Sequence, residues 1–403
     1  MEEIRVLLWQ IATKSTIYPT QVPVLPDKPS AVNQRSLVVV SGYYGFDNLG
    51  DEAILEELIS ELKEFVQAEK IVVLSNNPSQ TAELYGVRAV DRWRLAEFIP
   101  LLGQARLFIS GGGGLLQDAT SPRSVFYYAG QILAARLARV PVLIYAQGIG
   151  PLKRATSKIV AGCALKMANH ITVRDQASLA FTEALGLSAE LSADPVWSLK
   201  ASPLPQSFIL PSGTTDFGTA NPLIGVSLRR HSYLDSEHLG LLARIFKKIF
   251  PANTVFLMLP LQKSEDNDVL EKLVDQCKRL DLKASLLKAE DLVKPSQWLK
   301  LMENFDLLIG MRLHALLMAI KAGKPVVGMP YDPKVTYLCQ AFKQPLLDFE
   351  RSAQDGLENA WLSTIEAAYT DRGKLAEGAS QTTTLMQEKS CKNFAILAKI
   401  LKS

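Results

Sequence analysis

Cysteine is sparse: Cys163, Cys277, Cys339 and Cys391 are scattered, with no C-x-x-C pair and no His cluster beside them. That spacing excludes a disulfide framework and a thiolate zinc site, and it suits a reducing compartment. Long apolar runs are missing too, since no stretch reaches the roughly 18 residues that cross a bilayer. The first residues, MEEIRVLLWQIATK, open acidic with a short apolar stretch, a poor signal peptide. Cytoplasm is the expected address, with peripheral attachment to the inner face of the membrane left open. Charge of one sign is also lacking. Forty-four Lys and Arg stand against 41 Asp and Glu, a formal +3. That excess gives no ground for nucleic acid as a partner, nor for an anionic membrane. If the protein handles anions, it must do so with a few placed residues.

What is present suits a large α/β protein: 403 residues, 48% of them apolar, enough for two domains with sizeable cores. Residues 1–35 carry Pro19, Pro23, Pro26 and Pro29 and read as an irregular extension. From Ser36 the chain alternates continuous apolar runs (SLVVVSG, KIVVLS, ARLFIS, PVLIYAQG, HITV) with helical spacing, as in DEAILEELISELKEF. Uninterrupted runs imply a parallel sheet covered on both faces. Residues 201–222, rich in Pro, Ser, Thr and Gly, read as a linker, and the pattern resumes with LIGVSL, TVFLML, DLLIG and PVVGM. The expectation is an extension (1–35), two Rossmann-like domains (36–200 and 223–403) facing a cleft, and a last helix packing back on the first domain. Open α/β sheets bind ligands beyond the carboxyl ends of their strands. Candidate chemistry therefore sits where polar residues follow apolar runs.

Three such places stand out. Gly42–Glu52 (GYYGFDNLGDE) has glycines at 42, 45 and 50, the wrong spacing for a dinucleotide fingerprint, and no Walker lysine. Asp51 there reads either as a helix cap or, with Asn48, as a group aimed at a sugar hydroxyl. Ser110-Gly-Gly-Gly-Gly-Leu-Leu-Gln-Asp118 allows close backbone approach at Gly112 and Gly113, with Gln117 and Asp118 placed to read hydroxyls. Gly310-Met-Arg-Leu-His-Ala315 puts Arg312 and His314 at the start of a helix, where free N–H groups and a guanidinium favour an anion. Arg229, Arg230, Lys334 and Arg174 follow other strands and add cations at the same edge. Asp266-Asn-Asp268 reads as the start of a helix rather than a metal site, and no metal is expected.

Taken together, GYYGFDNLGDEAIL, SGGGGLLQD, TVRDQAS, ADP, GMRLHAL and YDPKV resemble the polysaccharide pyruvyl transferase family, most closely its CsaB type. The resemblance runs from about Ser36 to the C-terminal region. It implies a GT-B-like fold and transfer of pyruvate from phosphoenolpyruvate to a glycan sugar as a ketal, with no cofactor, no metal and no nucleotide sugar. It places Arg312 and His314 in the phosphoenolpyruvate site on the second domain, supported by Arg229, Arg230 and Lys334. Asn48, Asp51, Gly112, Gly113, Gln117, Asp118 and Arg174 fall on the acceptor side. His314 is then the acid that protonates C3 of the enol, and Asp51 the base for a sugar or lipid-linked glycan hydroxyl. Two other readings stay open: a GT-B glycosyltransferase using a nucleotide sugar, and a non-catalytic glycan-binding relative.

Overall fold

The continuous apolar runs become strands whose two faces are both covered, interior ones except for PVVGM at a sheet edge. The first sheet contains β1 (Leu37–Ser41), β2 (Ile71–Ser75), β3 (Arg88–Asp91), β4 (Ala105–Ser110), β5 (Gly113–Leu116), β6 (Val142–Ile149), β7 (His170–Val173) and β8 (Glu190–Leu191). Its order is β3-β2-β1-β4-β6-β7-β8, with β5 beside β6, and the pairings are parallel. The second sheet contains β9 (Leu223–Ser227), β10 (Val255–Met258), β11 (Lys283–Leu286), β12 (Leu307–Gly310) and β13 (Val326–Gly328), in the order β11-β10-β9-β12-β13. This computed structural model describes residues 35–119, 121–209, 221–288, 292–347 and 356–402. The expected extension over 1–35 lies, save Arg35, outside the described residues, as do residues 210–220 of the expected linker.

Helices α1 (Leu49–Lys63), α2 (Pro78–Tyr85), α3 (Leu95–Gln104), α4 (Pro122–Leu137), α5 (Ala155–Lys166) and α6 (Gln176–Ala184) connect the first sheet. The period of two along β1 divides them into layers. Val38 and Val40 pack with Leu55, Leu58 and Leu62 of α1. Leu37 and Val39 share the opposite layer with Phe98 of α3, Val125 of α4 and Ala161 of α5. The four-glycine segment is a turn only in part: from Gly113 it pairs with β6 as β5.

The second half adds α7 (Ser236–Ile249), α8 (Lys263–Arg279), α9 (Pro295–Met302), α10 (Leu313–Lys321), α11 (Pro333–Ala341), α12 (Leu357–Thr370) and α13 (Arg372–Lys402). The halves meet where Leu49 N–H donates to Leu261 O at 2.8 Å, and where Ser296 donates twice to Glu56, at 2.7 and 2.9 Å. Helix α13 crosses from the second half to the first. Its Leu397 and Leu401 are buried beside α1, contributing about 2 kcal/mol each, and Leu401 O accepts from Arg106 at 2.7 Å. Residues Ser36–Ser403 thus form one compact unit.

Candidate active site

Helix α1 starts at the carboxyl edge of the first sheet. Asn48, in extended backbone, caps it by accepting from Gly50 N–H at 3.2 Å, so Asp51 is not the cap. Asp51 instead lies in the first turn, and its carboxylate faces β5: a Cβ on Gly113 would sit 2.8 Å from Oδ1. Gly113 has φ +94°, a conformation that glycine adopts without strain. On the next residue back, a Cβ on Gly50 would lie 2.0 Å from His314 Nδ1. The imidazole from the second half therefore rests on the bare backbone of α1, one residue from Asp51. The glycines expected to admit a ligand admit side chains as well. Gly148 lies beneath Arg174, and Gly114 within 3.4 Å of Lys334 Nζ by the same measure.

These groups form an electrostatic cluster. Arg174 pairs with Asp194 Oδ2 at 2.5 Å, and His314 Nε2 stands 3.5 Å from the same oxygen. That is too long for a hydrogen bond, and Nε2 is buried without a hydrogen-bond partner among the described residues. Burial acts to raise the Asp194 carboxyl, but Arg174, His314 and the Val196 N–H outweigh it and hold the group well below the usual carboxylate range. Asp51 behaves oppositely. Burial, with Asp194 adding to it, pushes its carboxyl up to about 6 against the pull of His314, Arg174 and Lys334. Burial and then Arg174 hold the Lys334 ammonium below its ordinary value, opposed by Asp332, Asp175 and Asp51. The arrangement offers a carboxylate tuned toward neutrality, an imidazole with an unpartnered nitrogen, and two further cations.

Asp51, Gly113, Arg174, His314 and Lys334 are thus brought together from both halves. Arg312 is placed differently from expectation. It is buried, and its Nε lies 3.1 Å from both oxygens of Asp266, a side chain with no exposed surface. Much of its fork is spent on that pair, so it positions the start of α10. Asp266 is not the helix cap either: α8 begins at Lys263 after Gln262, and Asp266 accepts from Gln262 N–H at 2.9 Å. Arg229 lies over the Tyr331 ring at 5.1 Å with Nε buried and unpartnered among the described residues, so it retains a donor. The Arg230 side chain is 69% exposed and 3.9 Å from Asp268. Asp118 is turned away from the site: it accepts from Lys153 N–H at 2.6 Å and Arg154 N–H at 2.9 Å, bonds that hold its carboxyl low. Gln117 accepts from Ala119 N–H at 2.8 Å, and Gly112 makes room for Ile54. Asp194 went unassigned from sequence; the sole signal was its place in the ADP motif.

Residues 48–333 match the family described as polysaccharide pyruvyl transferase. The chain belongs to that family. The match spans Asp51, Arg174, Asp194 and His314 and ends one residue before Lys334. No curated protein sequence matches the chain. In structure it is similar to the Anabaena protein HepE in complex with UDP-glucose, at TM-score 0.55 and 15% identity, covering 91% of this chain and 99% of that one. A UDP-N-acetylglucosamine 2-epimerase reaches TM-score 0.61 at 11% identity, covering 90% and 95%. The S. aureus MnaA–UDP structure gives 0.59 at 10%, covering 86% and 90%. At such identities the likeness is one of fold, and that fold is GT-B-like.

Proposed function

We propose that this pyruvyl transferase, of the CsaB type, takes its pyruvyl group from phosphoenolpyruvate and leaves it as a ketal on a glycan sugar. The convergence of Asp51 from one half with His314 from the other, ringed by Arg174 and Lys334, carries the reading. Phosphoenolpyruvate has a carboxylate and a phosphate, so it asks for several cations and an acid. His314 delivers a proton to C3 of the enol, leaving C2 electrophilic. Asp51 takes the proton of an acceptor hydroxyl as its oxygen bonds to C2, giving a tetrahedral phosphate-bearing intermediate. The C2–O bond to phosphate then breaks, with Lys334 and Arg174 stabilising the charge on the leaving oxygen. A second hydroxyl of the same sugar bonds to C2 and closes the ketal, its proton passing to the now neutral His314, while the proton held by Asp51 leaves with the phosphate. Arg312 acts through α10, holding His314 where it is needed.

The experiment is phosphate release from phosphoenolpyruvate with and without lipid-linked or synthetic glycan acceptors, run in deuterated water. The expected result is acceptor-dependent release with deuterium in the product methyl group. Protection against unfolding by UDP-glucose but not by phosphoenolpyruvate would transfer the assignment to a nucleotide-sugar reaction. Full activity of His314→Ala would remove the proposed acid.

A further inference from the structure

The formal +3 conceals a strong segregation. Residues 119–174 contain eight Lys and Arg and no Asp or Glu. They supply α4 and α5, which lie in one layer with α3 on a single face of the first sheet. Four of the cations, Arg123, Lys153, Arg154 and Lys158, are exposed and sit at the starts of α4 and α5. Neither helix has an acidic residue in its first turn. Cations there oppose the helix dipole, so local stability does not explain them.

The same ends carry exposed apolar side chains. Trp93 and Leu95 at the start of α3 are 59% and 62% exposed, Phe126 on α4 is 48% exposed and Ile159 on α5 is 40% exposed. Trp93 keeps its ring 5.1 Å from Tyr127 while its indole N–H donates to Asn76 Oδ1 at 3.2 Å, leaving an amphipathic face outward. In a parallel sheet the starts of these helices lie at the carboxyl edge of the strands, the edge that holds Asp51 and Arg174. The patch therefore rims the active site.

We propose that this rim docks on an anionic lipid bilayer, the apolar side chains entering the headgroup boundary and the cations meeting the negative surface. Cations interleaved with large exposed apolar groups are the composition of an interfacial element. A duplex nucleic-acid surface needs the cations alone, and single strands stack on aromatic rings but make no use of exposed Leu95 and Ile159. Trp at the water–lipid boundary fits the same occupant. Among the described residues no helix is long and apolar enough to cross a membrane. The inference goes beyond the reaction proposed above and stands without it.

The test is cosedimentation of the full chain with vesicles of phosphatidylcholine, alone or with about one-third phosphatidylglycerol, and no substrate present. Binding to the anionic vesicles is expected, weakening with salt as the Debye length falls below about 10 Å. Each charge removed at Arg123 or Lys158 should weaken partitioning about fivefold, and Arg123→Glu and Lys158→Glu should do more. Leu95→Ser with Phe126→Ser should weaken it further. All four sites are exposed, and unchanged thermal unfolding of the variants checks that folding is intact. Absence of binding to the anionic vesicles overturns the proposal, as does equal binding to neutral ones. Binding that survives both sets of substitutions also overturns it. So does a dimer dispersed by Leu95→Ser and Phe126→Ser, or retention of single-stranded RNA in place of vesicles.

Discussion

Gly50→Ala isolates the seat of His314 without removing any reactive group. The added methyl would start 2.0 Å from Nδ1, 2.5 Å from Cγ and 2.8 Å from Cε1, whereas ordinary contact begins at 3.4 Å. The ring must retreat by about 1.4 Å, a shift that places His314 outside its working position. A misplacement near 1 Å costs on the order of 100-fold in rate, or about 2.7 kcal/mol of barrier. Stability should fall as well, because crowding a packed ring costs about 1–3 kcal/mol, which offsets the gain of about 1 kcal/mol from Ala over Gly in a helix. Phosphate-release kinetics and urea unfolding on the same preparation separate the two effects. Gly130→Ala in α4 is the control, with nothing within 4 Å of the new methyl. It should gain about 1 kcal/mol and leave the rate unchanged. A Gly50→Ala enzyme within about threefold of wild-type kcat would refute the argument that the ring's contact with α1 sets its reactivity.

The Asp51 carboxyl, held up to about 6 chiefly by burial, must be ionised to act as base, so kcat/KM should rise with pH through that value. Asp51→Asn should lose that limb along with the activity. Removing Arg312 strands the buried Asp266 carboxylate, and Arg312→Met should cost about 3–5 kcal/mol in urea unfolding. The double variant Arg312→Met/Asp266→Leu should regain most of that stability while the rate stays low. Glu61, bonded to the Tyr145 hydroxyl at 2.6 Å, is pushed up to about 8 by burial. The folded state then keeps a proton that the unfolded chain releases above its ordinary 4.5, so this contribution to stability falls as pH rises through that window. Glu61→Gln lacks it, and the stability difference between the two proteins should change by about 1.4 kcal/mol per pH unit up to that value.

Strands and layers were legible because burial on two faces demands uninterrupted apolar residues, and LVVVS or LLIG admit few other readings. Direction was harder. Asn48 and Asp51 were both polar candidates for one loop, and only the helix start tells which accepts from the backbone and which faces Gly113. Glycine likewise says that something comes close, not what; beneath Gly50 it is an imidazole contributed by the other half. Arg312 read as a free fork because its partner, Asp266, lies 46 residues away in a different connection. Asp194 and Asp118 show the complementary difficulty. Both are acids near strand ends, yet Asp194 gathers Arg174 and His314 while Asp118 serves the loop before α5.

Helix α13 gives the two halves the mechanics of a buckle. Its early residues lie against the second half, where Leu375 O accepts from Gln344 at 3.1 Å, and its late residues lie against the first. Between them Ser390 donates to Asp194 O at 3.1 Å and Asn393 to Ala193 O at 3.0 Å. The loop bearing Asp194 is therefore clamped by a lever anchored at both ends. Any rocking of one half against the other pulls on that lever, and through Asp194 on Arg174 and His314 together. Neither half owns a finished surface, so cutting the chain between them would leave each missing a piece that the other's sequence encodes.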